Sequence, residues 1–243
     1  LIADVVPQID DVRYLTQLGL EQLRNTARPG LLALMRVARV EPDHVDEQDV
    51  GYQLAPRMNA AGRLGNSERV VRLLLTEDEA TASQLADHLE ALNVERQAET
   101  SAVLAQAQDL LARESSRIHE PIIVAEGDDW QSGVIGLVAG QLVSQYGKPA
   151  IVIAHHPDRP STASARSVEG IDIHAAIQSQ ADLLVSGGGH PMAAGFSIVR
   201  DDVPLFRRKL MSWCHREIGE VKPKPLEIDA ELPMSELNLD LAS

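Results

Sequence analysis

The segment Pro121–Ala154, PIIVAEGDDWQSGVIGLVAGQLVSQYGKPAIVIA, decides the fold class of this chain. Ile122-Ile123-Val124-Ala125 is an apolar run of strand length, and Glu126-Gly127-Asp128-Asp129 reads as a turn. Trp130 to Gly136 leads into an apolar helix ending near Gly147, and Pro149 opens a second strand, Ala150–Ala154. Strand, helix, strand implies a right-handed parallel crossover and hence an α/β domain. Gly133 and Gly136 stand at the helix start, where free N–H groups favour an anion; close packing of helix on sheet is the simpler explanation of the same pair.

Downstream, His155 and His156 precede Pro160 in what reads as a solvated loop, since no acid-rich ligand pattern surrounds them. In Ala163-Ser164-Ala165-Arg166-Ser167, strand alternation puts Ser164 and Arg166 on one face, where a hydroxyl and a guanidinium can meet one phosphate. Asp172 is placed to cap a helix through Ile177. Val185-Ser186-Gly187-Gly188-Gly189-His190 follows, then the small residues Ala193-Ala194-Gly195. The three glycines permit a concave array of N–H groups suited to phosphate, and His190 can donate a hydrogen bond or proton near neutral pH. The same residues also fit a plain turn between two strands. Ala194–Val199 reads as a strand and Val203–Ile218 as an amphipathic helix whose apolar face holds Cys214, expected to be buried and inert.

Upstream, Leu1–Pro7 reads as the end of a strand with nothing before it to pair with, so the chain looks like a fragment; Asp4 is there a turn former or a metal-binding carboxylate. Helical spacing covers Arg13–Leu23, and Pro29-Gly30 separates it from a second helix, Leu31–Val40. The box Ala55-Pro56-Arg57-Met58-Asn59-Ala60-Ala61-Gly62-Arg63 sets two arginines and an asparagine among small residues, where a guanidinium can meet a phosphate; a helix start with arginines paired to acids such as Glu68 is the alternative. From Ser67 to Leu111 apolar residues recur at spacings of three and four, giving one long helix or a broken pair with a start signal at Thr76–Glu79. Asn93, Arg96 and Gln97 could face a groove, but a solvated helix face is the simpler reading. Lys222-Pro223-Lys224-Pro225 reads as a linker, and a strand begins at Leu226.

Composition limits the function. With 243 residues and a net charge of −14, the chain is large enough for a sizeable core and too acidic to attract nucleic acid over its whole surface. Any such site must be built from a few placed cations. One cysteine excludes an internal disulfide, and no apolar run is long enough to span a membrane or resembles a secretory signal, so a cytoplasmic protein is expected.

The start at Ala3–Pro7, the arginine–asparagine box, Trp130 with Gly133-Val134-Ile135-Gly136, Ser164-Ala165-Arg166-Ser167 and Gly187-Gly188-Gly189-His190 with Ala193-Ala194-Gly195 occur in an order that resembles the RecJ family of the Asp-His-His phosphoesterase superfamily. Gln131 departs from it, standing where a histidine is usual, and Ala163 replaces a usual glycine. The resemblance implies an α/β chain in which a helical connecting region precedes a substrate-binding domain with a mixed sheet flanked by helices. It divides the sequence into the end of the Asp-His-His domain with the arginine box (1–66), connecting helix or helix pair (67–120), Asp-His-His-associated C-terminal domain (121–221), and linker with the start of an oligonucleotide-binding fold (222–243).

It further implies a single-strand-specific DNA exonuclease acting 5′ to 3′ in repair and recombination by two-metal hydrolysis with Mn²⁺ or Mg²⁺. Most metal ligands of the family lie outside this sequence, Asp4 matching the last acidic one, so the segment alone is expected to be inactive. Arg57, Asn59, Arg63, Ser164, Arg166 and Ser167 are the implied binders of the 5′ phosphate end. Gly187, Gly188, Gly189 and His190 would hold the scissile phosphate, His190 with Asp4 being the implied catalytic pair. Implied partners are single-stranded DNA with a 5′ end, single-strand-binding protein and a helicase, with no membrane. A phosphodiesterase for short oligonucleotides or cyclic dinucleotides, and an inactive DNA-binding module, are the rival readings.

Overall fold

The structure, a computed structural model, describes residues 1–4, 6–64, 66–217, 228 and 231–234. The linker and strand expected over 222–243 fall almost wholly outside the described residues. Ile2–Asp4 form a turn closed by the Val6 N–H donating to the Leu1 carbonyl, where a strand end was expected. A strand needs a neighbour for its N–H and C=O groups, and none of the described residues offers one there.

Five helices make the first half: α1 (Asp10–Arg24), α2 (Pro29–Ala38), α3 (Ala55–Leu64), α4 (Glu68–Leu75) and α5 (Glu79–Arg113). Pro29 begins α2 where its missing N–H costs nothing. Gly30 lets α2 cross α4, since a Cβ there would lie 1.8 Å from the Leu73 carbonyl oxygen. The long apolar pattern is a broken pair: α4 ends at Thr76, and Asp78 caps α5 by accepting the Thr81 N–H at 2.7 Å. Helix α5 then runs unbroken for 35 residues, roughly 50 Å. Its first half buries Ala82, Ala86 and Leu89 with Leu34, Met35 and Leu73; its second half buries Val103, Ala107 and Leu111 against the α/β half.

That half is a five-stranded mixed sheet ordered β1-β2-β3-β5-β4, from β1 (Ile123–Asp128), β2 (Ala150–His155), β3 (Ser161–Arg166), β4 (Leu184–His190) and β5 (Ala193–Ile198). Strands β1 and β2 are parallel, as the crossover through α6 (Ile135–Tyr146) requires, and the other pairs are antiparallel. One face is apolar throughout: Ile151, Ile153, Ala163, Ala165, Ala194 and Phe196 pack under α7 (Ile173–Gln178) and α8 (Val203–Glu217). Cys214 lies in this layer, where burial pushes its thiol up to about 12. On the other face α5 and α6 cover β1 and β2, and α6 reaches on to β3, leaving β5 and β4 open.

Two local expectations change. The glycine run is the edge strand β4, in register with β5 through a turn at Pro191-Met192, and its N–H groups do not form a concave nest. His155 ends strand β2 and is buried, its Nδ1 2.8 Å from Ser161 Oγ and its Nε2 3.2 Å from Glu126 Oε2. His156 is half-buried and hydrogen-bonded. A two-strand ladder draws the supposed loop inward from its ends.

Candidate nucleic-acid interface

Directly opposed residues of antiparallel strands share a face. On the face that α6 covers as far as β3 and leaves open beyond it, three rows therefore run across β3, β5 and β4: Thr162–Ser197–Ser186, Ser164–Gly195–Gly188 and Arg166–Ala193–His190. Gly188, Gly195 and His190 are exposed, whereas Ala163, Ala165, Ala194 and Phe196 between them point into the covered core. Small residues thus make a flat polar platform, edged by Arg166 on one side and His190 on the other. The glycines have a steric reason here. A Cβ at Gly189, whose φ is +157°, would lie 2.5 Å from the Ala193 carbonyl oxygen.

Arg63 comes to Arg166 from α3, and Arg96 of α5 lies within reach of the charge of Arg63. The C-terminal end of α3 packs on the start of α6, where a Cβ at Gly133 would lie 2.3 Å from the Arg63 carbonyl oxygen. Arg63 Nη1 donates to the Gly133 carbonyl at 3.3 Å. Arg166 Nη1 donates to Ser164 Oγ at 3.2 Å and to the Ala165 carbonyl at 2.8 Å; a Cβ at Gly136 would sit 3.0 Å from that hydroxyl and 3.1 Å from Arg166 Nη2. Gly136 therefore makes room for the guanidinium beside the helix. Arg96, midway along α5 between its two cores, donates to Asn93 Oδ1 at 2.9 Å, while its buried Nε has no partner. Burial, and after it the charge of Arg63, hold the pKa values of both Arg96 and Arg166 below the usual arginine range. None of the three arginines forms an ion pair among the described residues. In a chain of net charge −14, this is a local excess of cation with nothing to neutralise it.

The other candidates lie elsewhere or are already engaged. Arg57 does not join the cluster: it is buried, with its Nε 2.5 Å from Glu90 Oε2 but out of hydrogen-bond alignment, its Nη2 3.3 Å from Oε1, and its Nη1 donating to the Gln53 carbonyl at 2.8 Å. It pins α3 to α5. Ser167 is buried too, and its hydroxyl donates to the Ile171 carbonyl at 2.7 Å. Asn59 is exposed one helical turn from Arg63, on the same side of α3. Asp4 is exposed on its turn, and no group of three or more His, Cys, Asp or Glu side chains among the described residues could hold a metal ion. The residues present do not make a metal centre by themselves. Ala163 faces the apolar core, so its methyl group does not alter the platform, while Gln131 is exposed. Sequence reasoning set Arg96 aside as part of a solvated face, although the Asn93-x-x-Arg96 spacing puts both side chains on one side of the helix.

Comparison with known proteins fits this geometry. Residues 119–216 match the DHHA1 domain family. The single-stranded-DNA-specific exonuclease RecJ of Bacillus subtilis is 36% identical over 239 residues, covering 98% of this chain and 29% of that protein. The chain is a RecJ homologue. RecJ of Escherichia coli is 35% identical over 86% of this chain and 37% of its own length. A crystal structure of RecJ from Thermus thermophilus in complex with Mn²⁺ superposes with a TM-score of 0.78 at 32% identity, covering 88% of this chain and 31% of that one. Another, with Mg²⁺, gives a TM-score of 0.81 at 29% identity, covering 96% and 35%. The chain thus spans about a third of the length of these relatives, and its helical region followed by an α/β domain is the fold they share. No helix among the described residues is long and apolar enough to cross a membrane.

Proposed function

We propose that this chain supplies the DNA-end clamp of a RecJ-type exonuclease that degrades single-stranded DNA from its 5′ end. The observation that carries the reading is Arg166 bonded to Ser164 with the charge of Arg63 acting on it, Arg96 lying within reach of that same charge, and none of the three in an ion pair among the described residues. A terminal 5′ phosphate bears up to about two negative charges near pH 7, and guanidinium forks suit its geometry. Held there, the strand runs across the glycine platform toward His190, which lies two strands from Arg166 in the same row. His190 donates to the next phosphate, and the missing side chains of Gly188 and Gly195 let the backbone approach. Arg57 supports the clamp by fixing α3, which carries Arg63 and Asn59.

Hydrolysis belongs to the whole protein. Divalent ions held elsewhere in it, Mn²⁺ or Mg²⁺ being the ions of the T. thermophilus complexes, would supply Lewis-acid activation of phosphate and water in a two-metal mechanism; the present residues bind and orient. Asp4 as a metal ligand, action in DNA repair and recombination, a cytoplasmic location, and cooperation with single-strand-binding protein and a helicase complete the reading. The test compares a 5′-phosphorylated with a 5′-hydroxyl oligodeoxynucleotide. Each charge-assisted bond is worth roughly 1.5–3 kcal/mol, so the phosphorylated strand binds about 10- to 100-fold more tightly, and Arg166→Ala removes the difference. Equal affinities in the unaltered chain would overturn the reading.

A further inference from the structure

A second polar group sits on the same sheet face, in the row farthest from His190. Thr162 Oγ1 lies 2.8 Å from Ser132 Oγ and 3.0 Å from His156 Nε2; Ser132 Oγ is 3.2 Å from that same nitrogen, and so is Arg159 Nη2. Three donors therefore surround one ring nitrogen, which in the neutral imidazole offers a single lone pair. If Arg159 donates to it and Ser132 donates to Thr162, the Thr162 hydroxyl still has a hydrogen to give. The two hydroxyls can accept from each other or from Arg159, which leaves them free to turn their hydrogens, with the guanidinium, toward one oxyanion, and Arg159 supplies the charge to favour one. Asp129 also acts on His156 and offsets part of that charge, so the group is a weaker anion site than the arginine trio.

Its position gives it a meaning. Thr162 and Ser164 are alternate residues of one strand, roughly 6.6 Å apart, a distance that one nucleotide of an extended strand covers. We propose that Ser132, His156, Arg159 and Thr162 form a second phosphate subsite, one nucleotide beyond the Ser164–Arg166 pocket on the side away from His190. This rests on the clamp reading above. A strand can then be held in two registers: with its terminal phosphate in the arginine pocket, or advanced so that the terminal phosphate reaches Ser132 and Thr162 and the second phosphate fills the arginine pocket. The first register presents the bond after one nucleotide to His190, the second the bond after two.

The test uses this chain and two probes, thymidine 5′-monophosphate and the 5′-phosphorylated dinucleotide pTpT, by calorimetry. The Ser132→Ala/Arg159→Ala variant changes two exposed side chains. It is expected to weaken pTpT about tenfold, one charge-assisted bond, while leaving the monophosphate unchanged; Arg166→Ala weakens both. Unchanged pTpT affinity in the double variant overturns the second subsite, and so does equal weakening of both probes, which would mean one merged pocket. Failure of Arg166→Ala to affect either probe would instead overturn the clamp itself.

Discussion

The two faces of the sheet are built from alternate residues of the same strands and do opposite things. Under α7 and α8, Ala163, Ala165, Ala194 and Phe196 make a close-packed apolar layer; on the other side Gly195 and Gly188 stay open and Ser164 and Arg166 are half-buried beside α6. Arginines divide the same way on α3: Arg57 is buried against Glu90, and Arg63 points to a cluster with no acid. A cation with a carboxylate beside it holds elements together. Cations gathered without one, and partly stripped of water, wait for an anion.

This contrast can be broken most forcefully on the covered face. Phe206, fully buried with its ring 5.0 Å from that of Phe196, loses its packing in Phe206→Ala, at a cost of about 3–5 kcal/mol in denaturant unfolding. Monophosphate affinity per folded molecule stays as it was; a specific loss of binding would mean the two faces are coupled. Next in size, Arg57→Ala leaves Glu90 facing a half-buried gap and costs about 1–2 kcal/mol of stability, while end binding survives in the folded fraction. If that variant instead abolishes discrimination between phosphorylated and hydroxyl ends without lowering stability, Arg57 belongs to the clamp.

The smallest effect is with pH. Burial first, then Arg159 and His155, lower the pKa of His156, with Asp129 opposing. The unfolded chain then binds this proton more readily than the folded one, so His156 makes stability rise with pH; it withdraws stability as pH falls through about 6.5 toward its lower folded value. Comparing melting temperature between pH 7.5 and 5 in the unaltered chain and His156→Gln should show a shallower acid loss in the variant. A steeper loss would reverse the assignment.

Much of this was legible in the chain. Pro121–Ala154 announces the parallel crossover because apolar strand runs and a helix between glycines have few other ways to bury themselves, and Ser164 with Arg166 follows from alternation alone. The edge strand at Gly187–Gly189 was not legible: glycine carries no side-chain pattern, and only pairing with β5 tells a strand from a turn. Arg57 and Arg63 are indistinguishable as residues in one box, because which of them finds Glu90 depends on how α3 is rotated against α5.

The sequence by itself determined the α/β class, the helical character of the connecting region and the residue types able to hold a phosphate, since periodicity and propensity are local. Only the tertiary structure decided that Arg63 comes within reach of both Arg96 and Arg166, while Arg57 and Ser167 are committed elsewhere. Those meetings join residues far apart in the chain, and their geometry comes from helix packing at Gly133 and Gly136 and from strand register.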